Sequence, residues 1–320
     1  MAQLVTKPEI NKGISHVNIS PVSVLLMKSQ VLSSLTSSAS NAKGNDSWAA
    51  MFSLLTSKSG AQPTQLSSDP LSLLIQSSNV NQSSSTKGIS PTGRNMALAD
   101  PESAYTMMTV INKKDVYYKA QFSELSQMKS AISRMQDAGL SLGSIVSSDG
   151  NDSIKSRLQA FVGQYNNWIQ RFAPDLQEGG LLSDTRAAQV SQYELEQSVS
   201  YRFFGIEKGV HGLGDLGIAI APGSRLASLD TTKLDSLLAT NKQGVVDAVQ
   251  EFGTNFAKSA SLLNSDGNFV LSRLDNLNRA IHYIADNKDS LQKEFGTGDA
   301  AKPAGQIAQA LAAYNQTYGV

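Results

Sequence analysis

Residues Leu213–Ala239 read LGDLGIAIAPGSRLASLDTTKLDSLLA. With the preceding residue, Gly212-Leu213-Gly214-Asp215-Leu216-Gly217 spells GxGxxG, the spacing of a dinucleotide-binding loop. Such a loop holds a pyrophosphate only when a strand precedes the glycines and a helix opens on them, so that free N–H groups meet the anion. Here the order is different. Ile218-Ala219-Ile220 alternates as a strand does, and Pro222-Gly223 marks a turn. The stretch therefore predicts a hairpin, GIAI against RLASL around APGS, with Gly214 and Gly217 allowing a tight entry. Asp230 then caps a helix whose core face carries Leu234, Leu237 and Leu238. Asn241 to Gly244 stop that helix, and Val245, Val246, Val249 and Phe252 begin another. No nucleotide site is expected.

Working outward, 152–264 reads as a small α+β segment. Ile154, Leu158, Phe161, Val162, Tyr165 and Ile169 share one helix face, and Trp168 is expected in the core. LSDTRAAQVSQYELEQSV predicts a second helix, capped by Ser183 or Asp184. On the N-terminal side, Asp100-Pro101-Glu102 is a helix start. From there Met108, Ile111, Tyr118, Phe122, Leu125, Ile132 and Leu142 follow a seam of 3 and 4 steps, with Asp115 and Lys129 at two seam positions. Gly139 and Gly143 are expected to weaken the end of that helix. On the C-terminal side, Val270, Leu274, Leu277, Ile281, Ile284, Leu291 and Phe295 repeat the steps, with Lys288 as the polar intruder. Gly296 ends that run as a left-handed terminus, and QIAQALAAYNQTY predicts a last short helix. Neither apolar stripe is stable in water, so antiparallel pairing of the two long helices is the economical arrangement. The expected fold is mainly α: segments 96–148 and 265–320 form a coiled-coil-like stalk, and 152–264 forms an α+β domain with a short β-hairpin.

Residues 1–95 are Ser/Asn-rich and read as a largely disordered segment. The short apolar islands VSVLLM and WAAMFSLL make Leu25, Leu26, Trp48 and Phe52 candidate docking residues, Trp48 above all because tryptophan is enriched at interface hot spots. Lys+Arg and Asp+Glu are both 27 in 320 residues, so the strong positive field of a nucleic-acid or polybasic membrane protein is missing. The sequence has no cysteine, which removes disulfides, thiolate zinc sites and cysteine nucleophiles together. The N-terminus lacks the pattern of a cleaved signal, and no run nears the roughly 20 apolar residues of a membrane span. His16, His211 and His282 are scattered, with no HExxH, no GxSxG and no P-loop. Neither an enzyme nor a cofactor or metal site is expected.

Several of these segments, taken in order, resemble the bacterial flagellar filament-cap protein family (hook-associated protein 2). LQAFVGQYNNWI (158–169) is similar to its Phe-Val-x-x-Tyr-Asn helix, and GGLLSDTRAAQV (179–190) to its Gly-x-Leu-x-x-Asp segment. Leu216-Gly217-Ile218, the turn, and Leu229-Asp230-x-x-Lys233-Leu234 resemble its most recognisable stretch. Residues 120–138 and 271–295 resemble its first and late helices, and the matches cover about 60% of the chain. Members usually carry a large β-rich head between the halves, where this chain has only GSIVSSDGNDS (143–153), and about 100 polar residues precede the first match. The resemblance implies a structural protein that self-associates through its helices and contacts flagellin or hook-junction subunits. It also implies export to the bacterial flagellum, outside the cell, without a cleaved signal, with an export chaperone as a possible further partner. The missing head opens a second expectation: a headless paralogue, acting in the cytoplasm or outside, as an accessory or export-partner binding module.

Overall fold

The computed structural model describes residues 88–202 and 209–319. By its contacts the chain divides after Leu54, and every described residue lies in the unit Leu55–Val320. The described residues are mainly helical, with one small antiparallel sheet. In order they form α1 (Pro101–Gly143), α2 (Asn151–Leu176), α3 (Arg186–Ser200), β1 (Ile218–Ile220), β2 (Ala227–Leu229), α4 (Thr231–Leu263), α5 (Phe269–Phe295) and α6 (Gly305–Tyr318). The docking candidates Leu25, Leu26, Trp48 and Phe52 lie outside the described residues.

Helix α1 opens as its sequence dictates. The Asp100 carboxylate accepts from the Ser103 N–H at 3.1 Å, and Pro101 takes the first helical position, where no N–H is needed. The helix then runs 43 residues and is the axis on which α2, α4, α5 and α6 pack. α5 lies antiparallel to it: Arg273 near the start of α5 reaches Gln121, while Lys293 and Glu294 near its end meet Asn95. The two seamed helices therefore do pair. α4 also lies antiparallel along α1, with Asn264 donating to the Lys129 carbonyl at 3.1 Å and Gln250 to that of Ile145 at 2.5 Å. α6 runs parallel to α1, from the Asp299 N–H on Thr109 Oγ1 (2.8 Å) to Tyr314 and Tyr318 on Phe122.

α1 ends at Gly143, the second of its two late glycines, Gly139 and Gly143. They are where α1 and α4 approach most closely among their glycines: a Cβ on Gly253 would lie 2.6 Å from the Gly139 carbonyl and 2.7 Å from Leu142 Cβ. Side chains there would hold the backbones apart. Beside this crossing, Phe161 of α2 meets Phe252 and Phe256 of α4 edge-on at 5.0 and 4.9 Å, the favoured geometry for aromatic quadrupoles. Trp168 is buried with Phe172 in the same core.

The hairpin forms where expected, with Ile218 opposite Leu229 and Ile220 opposite Ala227. Gly217 enters it at φ 87°, and its carbonyl accepts the Asp230 N–H at 2.8 Å. The Asp230 carboxylate in turn caps α4 through the Lys233 N–H at 3.0 Å. Leu234 and Leu238 are buried, whereas Leu237 is half-buried. The expected stop at Asn241 is a kink inside α4 (φ −147°, ψ 52°), and the Asn241 side chain accepts from the Gly244 N–H to restart the helix.

Three local expectations change. α3 begins after Thr185, not Ser183 or Asp184, because Ser183 Oγ donates back to the Gly180 carbonyl instead of capping. Gly296 ends α5 at a positive φ of 89°, which favours glycine, but its ψ of −178° is not that of the left-handed helix. Residues 88–95, read as part of the disordered segment, form a turn with a bridge between Ile89 and Asn95. Contacts distant in sequence order it: Thr297 N–H donates to the Gly93 carbonyl, and the Asn95 amide donates to two carbonyls at the end of α5.

Candidate functional site

The seam is built from both long helices. On α1, Met108, Ile111, Tyr118, Leu125 and Ile132 are buried. Phe122 is half-buried, facing α6 through the rings of Tyr314 (6.0 Å) and Tyr318 (5.4 Å). On α5, Leu274, Leu277, Ile281, Ile284 and Leu291 are buried, and Phe295 is half-buried. Contacts within the chain cover these side chains. The polar seam positions behave differently from the apolar ones. Asp115 pairs with Lys119 one turn on at 2.8 Å, and Lys288 is exposed, as are Ala285, Asp286, Asp289 and Ser290 around it. α5 is thus gripped on both sides of a turn that faces solvent.

Beneath the seam lies a polar layer that the sequence gives no sign of. Gln121 of α1 donates to the Leu181 carbonyl and to Tyr117 Oη, each at 3.0 Å, and accepts from Arg273 of α5 at 2.8 Å. Burial lowers the pKa of the Arg273 guanidinium and raises those of Tyr117 and Tyr118 beside it. One turn along α1, Arg171 of α2 donates to Glu124, to Gln127 at 2.9 Å and to Asp175 at 3.1 Å. Glu124 and Asp175 are both buried, and burial raises both carboxyls against the opposing pull of Arg171. These groups come from positions dozens of residues apart, so no periodicity could have announced them.

The glycine run leads into β1, not into a helix. The Asp215 carboxylate accepts from the His211 N–H at 2.8 Å, and Lys233 Nζ donates to the Gly214 carbonyl at 2.7 Å. The nearest helix start, that of α4, is already capped by Asp230. This loop is a structural joint between hairpin and helix. Asn166 of α2 completes it: its amide donates to the Ala227 carbonyl at 2.8 Å and accepts from the Ala227 N–H at 2.7 Å. That pair of bonds satisfies the outer edge of β2 as a third strand would. His282 is exposed on α5. Among the described residues no group of three or more His, Cys, Asp or Glu side chains could hold a metal. A cleft of about 700 Å³ opens between Tyr117, the 176–184 loop and the start of α6, lined by Glu178, Asp184 and Gln306. No helix among the described residues is long and apolar enough to cross a membrane.

No family model matches the chain, and no curated protein or solved structure matches it.

Proposed function

We propose that this chain is a structural, non-enzymatic protein of the bacterial flagellum, with a role like that of the filament cap. In this reading its paired long helices form a coiled-coil-like stalk, it associates with copies of itself, and it contacts flagellin or hook-junction subunits outside the cell. What supports the reading is that the residues carrying the resemblance hold one another in place. Asn166 of the Tyr-Asn helix grips Ala227 of the hairpin, Gly217 of the Leu-Gly-Ile strand binds Asp230, and Lys233 closes on Gly214. A set of motifs that share one joint forms a unit, whereas accidental matches have no reason to touch.

The connection between α1 and α2 favours the second reading, a headless accessory or export-partner module. Only residues 144–150 separate the two helices, so the place where a cap's head would emerge is a short turn. Mass spectrometry of sheared filaments against a gene-deletion control, with motility scored in parallel, separates the two. The cap-like role predicts the protein in the filament fraction, and lost motility with leaked flagellin on deletion. Retention inside the cell with impaired subunit export supports the accessory role. Unchanged motility and export would remove both.

A further inference from the structure

We propose that Glu124, Arg171 and Asp175 form a proton-operated clamp between α1 and α2, in which the two carboxyls share one proton taken from solvent and the contact tightens as that proton binds. This goes beyond the assembly role and does not depend on it. Glu124 projects from α1, while Arg171 and Asp175 stand one helical turn apart on α2. The side chains of Glu124 and Asp175 are only 9% and 5% exposed, so water solvates neither charge well. Both sit on the one guanidinium. Two carboxylates bring two negative charges to that one cation, and a proton on either restores the balance. With one proton on the pair of carboxyls, the trio is neutral overall. Without it, a net negative charge remains buried beside a partly exposed cation.

The surroundings leave the trio to itself. α2 supplies Arg171 and Asp175, and Gln127 of α1 adds a neutral acceptor to Arg171. Arg273 of α5 is held by Gln121 at 2.8 Å. The joint matters because Asp175 also anchors the following loop: its carbonyl accepts the Leu182 N–H at 2.9 Å. Both carboxyls are raised, principally by burial. The folded chain therefore binds the proton more tightly than the unfolded chain. Stability is full below the ordinary carboxylate range and is lost as pH rises through the raised values.

Urea unfolding of the full chain from about pH 8 to about pH 5 tests this, alongside Glu124→Gln, whose amide keeps the shape of the protonated acid. The native midpoint is expected to move to higher urea as pH falls, and the variant's to move less. Glu194 and Glu294, which burial also raises, contribute equally to both chains and cancel in the difference. Parallel profiles would overturn the clamp. Should the variant fail to fold, carbon-13 NMR of the native side-chain carboxyls decides. Glu124 or Asp175 titrating above the ordinary range supports the shared proton, and both titrating within it overturns it.

Discussion

Gly253 and Gly163 are both helix-interior glycines, and the structure gives them opposite roles. At Gly253 the backbones of α1 and α4 are nearly in contact, and an added Cβ would strike the Gly139 carbonyl and Leu142. Gly163 of α2 has nothing within 4 Å of where a Cβ would go. Gly253→Ala is therefore expected to destabilise the fold by about 1–3 kcal/mol through overpacking. Gly163→Ala should stabilise it by roughly 0.4–1 kcal/mol, because alanine restricts the unfolded chain and suits a helix. Thermal melts of the two variants check this, and equal signs would show that the crossing is looser than described. The sequence gives no warning of the difference, since helix propensity penalises both glycines alike. Asp230 is the contrasting case: a cap depends on the next three residues and could be read directly.

Among the elements, α1 matters most because α4, α5 and α6 all pack along it. The pairing of α1 with α5 was legible, because each carries its own apolar stripe. The share taken by α4 was not, since its contact with α1 rests on Gly253, Phe256 and Ala257 instead of a heptad seam. Ile281 and Ile284 are 3% and 5% exposed on the stripe that meets α1. Replacing either with Asp places an unpaired charge in that contact, at a cost of about 3–5 kcal/mol. Circular dichroism should then show lost helicity or a sharply lower melting temperature. Unchanged helicity and melting in the double variant would mean that α5 is not held on α1 by this stripe. Lys288, on the exposed turn, tolerates substitution by the same reasoning.

For the whole molecule, buried phenols set an alkaline limit. Tyr165 lies in the core with its hydroxyl unbonded among the described residues, and burial pushes its pKa from 10.0 up to about 12. The unfolded chain ionises this group first. The corresponding stability is therefore full below about pH 10 and lost as pH rises through about 12. Tyr117, Tyr118 and Tyr314 are raised in the same direction, so Tyr165→Phe should shrink the alkaline loss without abolishing it. At neutral pH the variant should be at least as stable as the native chain, because an unbonded buried hydroxyl only costs desolvation. Urea midpoints from neutral to strongly alkaline pH measure both effects, and an identical alkaline limb in the variant would contradict the assignment.

By itself the sequence determined where most of the helices lie, the break at Asn241, the hairpin and its cap. Each arises from interactions within a few residues: apolar spacing, a turn dipeptide, a carboxylate reaching one N–H. The tertiary structure decided what those elements do to each other. It made Gly139, Gly143 and Gly253 a close crossing of two helices, used Asn95 to finish α5, and set Asn166 against the edge of β2. It also brought Glu124 to Arg171. Packing free energy and desolvation act through space between residues far apart in the chain, and they leave no local pattern to read.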